Sequence, residues 1–204
     1  MTELPPDRVI RGRPLSEQVF ERLSAGASFP LWRNIPAGVD RQSAVLVPLF
    51  PLEGSLFTLF LRRSPGLSRH GGEICFPGGM KEATDESPLT TALREAEEET
   101  GIAPERVTPL AQLQPEYTVV TGVEIYPVLG AVRGVDPRTG LALPSGEIAR
   151  AYAVDILGFS RTPRRKTFSL PETARVSYPE YDLPDGTVIW GVTARILEKV
   201  REML

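Results

Sequence analysis

The stretch FPGGMKEATDESPLTTALREAEEETGI, Phe76 to Ile102, decides how this chain is read. Ser87 is a good helix N-cap because its hydroxyl can accept from a free N–H of the first turn, and Pro88 suits the first helical position because no N–H is needed there. Gly101 supplies the left-handed residue on which helices commonly end. These marks predict a helix over Pro88–Thr100, preceded by a short strand, Ile74–Phe76, and a glycine-rich loop. Counting by threes and fours separates two stripes on the helix. Leu89, Ala92, Leu93 and Ala96 are apolar; Glu95, Glu98 and Glu99 share another side, with Arg94 one turn from Glu98. Like charges at this spacing cost up to about 0.5 kcal/mol each on an isolated helix, and the C-terminal half of a helix disfavours anions further. Propensity does not ask for this arrangement. A solvated acidic face is one explanation. The other is a hard divalent cation such as Mg²⁺ or Mn²⁺, which takes carboxylate oxygens and often bridges to substrate phosphates.

Upstream, Ser43–Phe50 and Ser55–Arg62 are apolar runs on either side of Glu53-Gly54, the pattern of a hairpin. A short helix is expected from Ser16 to Leu23, with Val19, Phe20 and Leu23 on one side, followed by punctuation at Pro30, Pro36 and Gly38. Residues 1–40 therefore read as an N-terminal arm packed on the body. Downstream, Val107–Gln114, Tyr117–Val120 and Glu124–Val132 read as strands, and Thr187–Val192 as another leading into a C-terminal helix that ends at Met203. Asp136–Gly146 and Gly158–Asp185 are rich in Pro, Gly and polar residues and read as long loops. Trp32, Tyr117, Tyr126 and Trp190 could stack on a base, but each is expected in core packing.

Composition narrows the function. The 204 residues suit one domain, 1–204, and 41% apolar with 24% charged residues can build an ordinary core. With 23 Lys and Arg against 26 Asp and Glu, the net charge of -3 gives no broad positive field, so a nucleic-acid binder is disfavoured. Ala44–Leu52, the longest apolar stretch, is broken by Pro48 and Pro51 and falls short of the ~20 residues of a membrane span. The start MTELPPDRVI carries no export signal, so the cytoplasm is the expected compartment. Cys75 is the only cysteine, which excludes an intrachain disulfide and a cysteine zinc cage and leaves oxygen as the main metal donor.

The segment from Phe76 to Ile102 resembles the Nudix box. Arg94, Glu95, Ala96, Glu98, Glu99, Gly101 and Ile102 fill the second half of that pattern in register. The first half carries one extra residue: counting back from Arg94 puts Glu86 in the first acidic slot, and counting forward from Gly79 puts Asp85 there. A second segment, LFLRRSPGLSRHGGEICFPGG from Leu59 to Gly79, resembles the signature of the coenzyme A pyrophosphatase branch of the Nudix hydrolases. Arg63, Ser64, Leu67, His70, Gly72, Phe76, Pro77, Gly78 and Gly79 match it. Leu61, Ser68 and Glu73 replace its threonine, arginine and glutamine, and Arg69 sits one place late. The two signatures span about a fifth of the chain.

The resemblance implies an α+β fold, a Nudix-type α/β/α sandwich with a mixed β-sheet between helices. It implies Glu95, Glu98 and Glu99 as ligands of Mg²⁺ or Mn²⁺, the Gly79 carbonyl as an extra ligand, and Glu86 joining through water. Arg94 is expected to hold the carboxylates through a charge-assisted fork. Nudix enzymes commonly draw a base from outside the box, and Glu147 is the candidate, with Glu116 and Glu124 as rivals. Arg63, Arg69 and His70 are the expected substrate contacts. Arg62 and Arg63 point to opposite sheet faces, and the signature position favours Arg63. Cys75 reads as a core residue. The implied reaction is metal-dependent hydrolysis of coenzyme A or its derivatives to 4'-phosphopantetheine and adenosine 3',5'-bisphosphate. Its rivals are ADP-ribose or dinucleotide pyrophosphatase action on the same fold, and a noncatalytic nucleotide-binding module. The sequence leaves a homodimer open.

Overall fold

A computed structural model describes residues 9–10, 13–35, 41–66, 71–118, 121–143, 146–158, 163–169 and 175–204. In chain order the elements are β1 (Val9–Ile10), β2 (Arg13–Pro14), α1 (Leu15–Ser24), β3 (Arg41–Leu52), β4 (Ser55–Arg63), β5 (Ile74–Cys75), β6 (Gly78–Met80) and α2 (Pro88–Thr100). They continue with β7 (Val107–Gln112), β8 (Glu116–Thr118), β9 (Val123–Val132), β10 (Ile148–Asp155), β11 (Arg164–Ser169), β12 (Arg175–Asp182), β13 (Val188–Ile189) and α3 (Gly191–Met203). The main sheet runs in the order β10-β4-β3-β9-β7. It is mixed, because β3 and β9 are parallel while the other neighbours are antiparallel. No helix among the described residues is long and apolar enough to cross a membrane.

Strand alternation splits the core into two layers. Leu46 and Phe50 of β3, Leu59 and Leu61 of β4, and Val128 of β9 face α2, where Ala92 and Ala96 are fully buried. Val47 and Leu49, Leu56 and Phe60, and Leu129 and Ala131 face the opposite way, against Val19, Phe20 and Leu23 of α1 and Ile196, Leu197 and Val200 of α3. The sheet is thus sandwiched between helices. Small alanines at 92 and 96 let α2 lie close to the strands beneath it.

β3 and β4 form the expected hairpin, turned by Glu53 at φ 50° and Gly54 at φ 77°, but they pair only from Leu49↔Thr58 to Leu52↔Ser55. Beyond that they part. β5 joins β4 through Leu61↔Cys75, β6 joins β3 through Ala44↔Gly79, and the segment from Ile74 to Met80 fills the wedge between them. Inside the wedge the Leu46 N–H donates to the Pro77 carbonyl at 2.8 Å. Pro48, which has no N–H to offer, lies between the residues of β3 that pair with β6 and those that pair with β4.

Two expectations need correction. Gly158–Asp185 is not one long loop: β11 and β12 pair from Arg164↔Glu180 to Ser169↔Arg175 and, with β13, form a three-stranded sheet. Charge and proline concealed it, since Arg164 and Lys166 are exposed and meet Glu180 and Asp182 across the ladder instead of facing a core. β10 carries no strand pattern in its residues, because Ala149, Ala151 and Ala153 have little β preference. Tyr117 and Trp190, expected in core packing, are 40% and 48% exposed.

α2 begins and ends where its caps place it. The Ser87 side chain accepts from the Thr90 N–H at 3.1 Å, and Gly101 sits at φ 71°. A Cβ at Gly101 would lie 2.8 Å from that of Ala142 in addition to the left-handed strain. Gly101→Ala is expected to lower unfolding stability by about 1–2 kcal/mol, read from urea denaturation. An unchanged midpoint would show that the loop and helix end absorb the methyl group.

Candidate active site

With Ala92 and Ala96 turned into the core, α2 presents Glu95 and Glu99 to the loop in the wedge. The Gly78 N–H donates to Glu99 Oε2 at 2.9 Å. A Cβ at Gly79 would overlap the Glu95 carboxylate, so only a residue without a side chain allows that approach. Glu99 is buried; Glu98 is exposed.

Arg94 is the hub. Its Nη1 donates to Glu95 Oε1 at 3.0 Å and reaches Glu98 Oε1 at 3.4 Å, while Nη2 donates to the Met80 carbonyl at 3.1 Å. Nη2 and Nε form a fork on Asp85, at 2.9 and 3.3 Å. Asp85 is itself held by the Glu82 N–H at 2.9 Å and the Thr91 hydroxyl at 2.7 Å, with its side chain only 2% exposed. Asp85 therefore occupies the slot facing the arginine. Glu86 points away: it is exposed, and its backbone carbonyl accepts from the Trp32 N–H at 3.5 Å. The structure does not bring Glu86 to the carboxylate cluster. The extra residue of the loop falls after the acidic slot, where Asp85 reaches Arg94 with a side chain one methylene shorter than glutamate.

The electrostatics follow burial. Burial pushes the Glu99 carboxyl up to about 7 against the pull of the Gly78 N–H, and the charge of Glu95 adds to the rise. Burial also raises Glu95, with Arg94 opposing it. At Asp85 burial acts upward too, but the hydrogen bonds from Arg94, the Glu82 N–H and Thr91 outweigh it and hold the carboxyl at about 2.

Arg63, at the end of β4, faces the same side. Its Nη1 is 3.9 Å from Glu99 Oε1 and its Nη2 4.0 Å from Glu147 Oε2, and its buried Nε has no hydrogen-bond partner. The Glu147 carboxylate is 69% exposed at the mouth of the site, while its backbone carbonyl accepts from the Ser64 N–H at 2.8 Å. The two rivals of Glu147 are committed elsewhere. Glu124 is buried in bonds from Arg33, Gln42 and the Tyr126 hydroxyl, and Glu116 is clamped by Arg195 at 2.7 Å and Lys199 at 2.6 Å. Arg69 and His70 lie outside the described residues. Cys75 packs against the α2-side core, and burial of its thiol, with the charge of Glu99, pushes it up to about 12, so it stays protonated at neutral pH. Sequence reasoning left open the pairing of Asp85 with Arg94; forward counting from Gly79 was the signal for it.

Among the described residues, no three acidic, histidine or cysteine side chains close on a common point. Arg94 draws Glu95 and Glu98, and Gly78 draws Glu99. The donor chemistry still suits a hard divalent cation: carboxylate oxygens on one helix stripe, and a cradle at Gly79 that a Cβ would fill. A cation would also offset the burial that raises Glu95 and Glu99.

Comparison with known proteins gives a consistent picture. The family model described as NUDIX domain matches residues 40–157. The chain is 44% identical over 167 residues to an uncharacterized Nudix hydrolase NudL of Pectobacterium atrosepticum, covering 81% of this chain and 83% of that protein. It is 30% identical over 200 residues to a protein of Arabidopsis thaliana named Nudix hydrolase 15, mitochondrial, covering 96% of this chain and 68% of that one. A MutT/nudix family protein of Enterococcus faecalis shares the fold at a TM-score of 0.50 and 17% identity, over 95% of this chain and 69% of that chain.

The Asp85 clamp has a pH signature. Its folded-state pKa is depressed, so its contribution is present above the ordinary carboxylate range near 4 and is lost as the pH falls through about 2. Asp85→Asn is expected to cost about 2 kcal/mol at pH 6, with the gap to wild type narrowing between pH 4 and pH 2 in urea titrations. A gap independent of pH would assign the loss to packing alone.

Proposed function

Because the chain belongs to the Nudix family, whose members hydrolyse phosphoanhydride bonds, we propose that it cleaves the diphosphate of coenzyme A and its derivatives. The products are 4'-phosphopantetheine and adenosine 3',5'-bisphosphate. The observation that carries this reading is the position of Arg63: it lies on the segment that resembles the coenzyme A branch and faces both Glu99 and Glu147. A substrate with a diphosphate and a 3'-phosphate needs such a cation at the mouth of an acidic site.

Members of the family generally use divalent metal ions. In this chain Glu95, Glu98 and Glu99, with the Gly79 carbonyl, would hold Mg²⁺ or Mn²⁺, which when bound supplies charge to neutralise phosphate oxygens and acidify water. The protein's part is positioning. Arg94 fixes the directions of Glu95 and Glu98, and the Gly78 N–H fixes Glu99. Glu147, exposed at the mouth, is the group we assign as general base, taking a proton from the attacking water. Arg63 binds phosphate oxygens as the negative charge shifts toward the leaving group. α1 buries Val19, Phe20 and Leu23 in the same core as α3, which supports residues 1–40 as an arm of one domain, 1–204. The lone Cys75 suits a reducing, cytoplasmic setting.

Initial rates with coenzyme A, ADP-ribose and NADH, measured side by side with Mg²⁺ or Mn²⁺, are expected to rank coenzyme A first; faster ADP-ribose turnover would move the assignment to the rival substrate class. Glu98→Gln and Glu99→Gln are each expected to reduce kcat by at least about a hundredfold while the circular dichroism spectrum is unchanged. Near wild-type turnover in either folded variant would remove that residue from the catalytic set.

A further inference from the structure

Beside β10 runs a groove of about 860 Å³ that the hydrolytic chemistry does not use. All seven residues from Ala149 to Asp155 line it. Side chains of a strand alternate between faces, so a consecutive run can line one groove only through the strand's edge. β10 is the outermost strand of the main sheet, and among the described residues it pairs only with β4.

The ladder fixes which backbone groups point outward. The Ile156 N–H donates to the Leu56 carbonyl at 2.8 Å, so alternation by two turns Val154, Tyr152 and Arg150 inward to β4. The N–H and C=O groups of Ala151, Ala153 and Asp155 therefore face the groove. Methyl side chains at Ala151 and Ala153 leave it roomy. Leu141 and Leu143 rim one side and Leu183 and Pro184 the other. The charges that line it are engaged: Arg150 bonds Asp185 at 2.9 Å, Arg138 bonds Asp136 and Glu53, and the Asp155 carboxylate accepts from the Leu157 and Gly158 N–H groups. An occupant that is neutral, extended and rich in amides fits this chemistry.

Along β10 the groove's lining begins at Ala149, two residues after Glu147. Ile148 stands opposite Arg63, the register slips by one residue at Ala149, and Glu147 immediately precedes the strand. At about 3.3 Å per residue, Ala149–Asp155 extends about 20 Å away from Arg63 and Glu147.

On these grounds, and resting on the coenzyme A reading above, we infer that the outer edge of β10 is the subsite for the pantetheine arm of the substrate. The arm adds to the sheet as a strand would, its two amides pairing with the backbone of Ala151 and Ala153. The β-alanine unit between those amides is one methylene longer than a peptide unit, which brackets the outward-facing groups without crowding. The apolar rim covers the dimethyl carbon of the arm.

Two substitutions test this. Ala153→Pro removes one outward N–H and leaves the β4 ladder alone, since an edge strand tolerates proline where its N–H faces outward. Ala153→Leu fills the groove and serves if the proline variant loses its melting transition. The inhibition constant of 4'-phosphopantetheine and the KM of coenzyme A are expected to rise about fivefold or more, with the inhibition constant of adenosine 3',5'-bisphosphate unchanged. If the wild type turns over coenzyme A but the variants bind 4'-phosphopantetheine as it does, or lose both ligands equally, the subsite is overturned and the substrate assignment stands. If the wild type does not hydrolyse coenzyme A, the substrate assignment fails and the subsite with it.

Discussion

Three glutamates on one side of a helix repel each other, and the site exists because the Arg94 guanidinium holds two of them, Glu95 and Glu98, while the Gly78 N–H holds Glu99. Arg94 spends its donors on Glu95, Glu98, the Met80 carbonyl and Asp85. It ties helix, loop and loop base together at a single point. Asp85 makes the hub rigid, since a buried carboxylate with four donors around it cannot swing away without leaving charge unpaired. The arrangement explains why the acidic stripe survives in the half of the helix where the dipole is least favourable. Stability lost on Glu95 and Glu98 is recovered through the arginine they share.

The second determinant is where the sheet opens. Because β3 and β4 part after Leu49 and Thr58, the glycine-rich loop lies inside the sheet instead of on its surface. Its backbone can then touch the helix directly, through Gly78 to Glu99 and at Gly79 against Glu95. The same opening carries Arg63 toward Glu99 on the last residue of β4. Glu116 and Glu124 lie in other networks, one joining β8 to α3 and the other joining β9 to Arg33. Candidates that are equal in sequence are unequal once their counter-charges are seen.

Much of this was legible in the residues. The helix from Pro88 to Thr100 was bounded by Ser87 and Gly101, whose capping chemistry is local. The hairpin around Glu53-Gly54 followed from turn preference and flanking apolar runs. The acidic stripe and its arginine were visible from spacing alone. What stayed hidden depends on contacts between distant segments. Asp85 and Glu86 are adjacent, and only the fold decides which turns toward Arg94. β10, with its alanines, and the β11–β12 pair, with its cross-strand ions, lack the apolar alternation that announces a strand. The strand expected over Thr187–Val192 stops at Ile189, and Trp190, half exposed, is the N-cap of α3.

The position of Pro48 has a wider consequence. A central strand with every donor present could zip along its neighbour to the end, closing the wedge that admits the loop. Pro48 offers no donor at the point of divergence, and the Leu46 N–H is already engaged by Pro77. Misregistered annealing of the two long strands is thus discouraged during folding as well as in the finished molecule. The floor of the pocket is built before any ligand arrives. Arg94 and the Gly78 N–H then need to orient only side chains, because the sheet has already set the backbone beneath them.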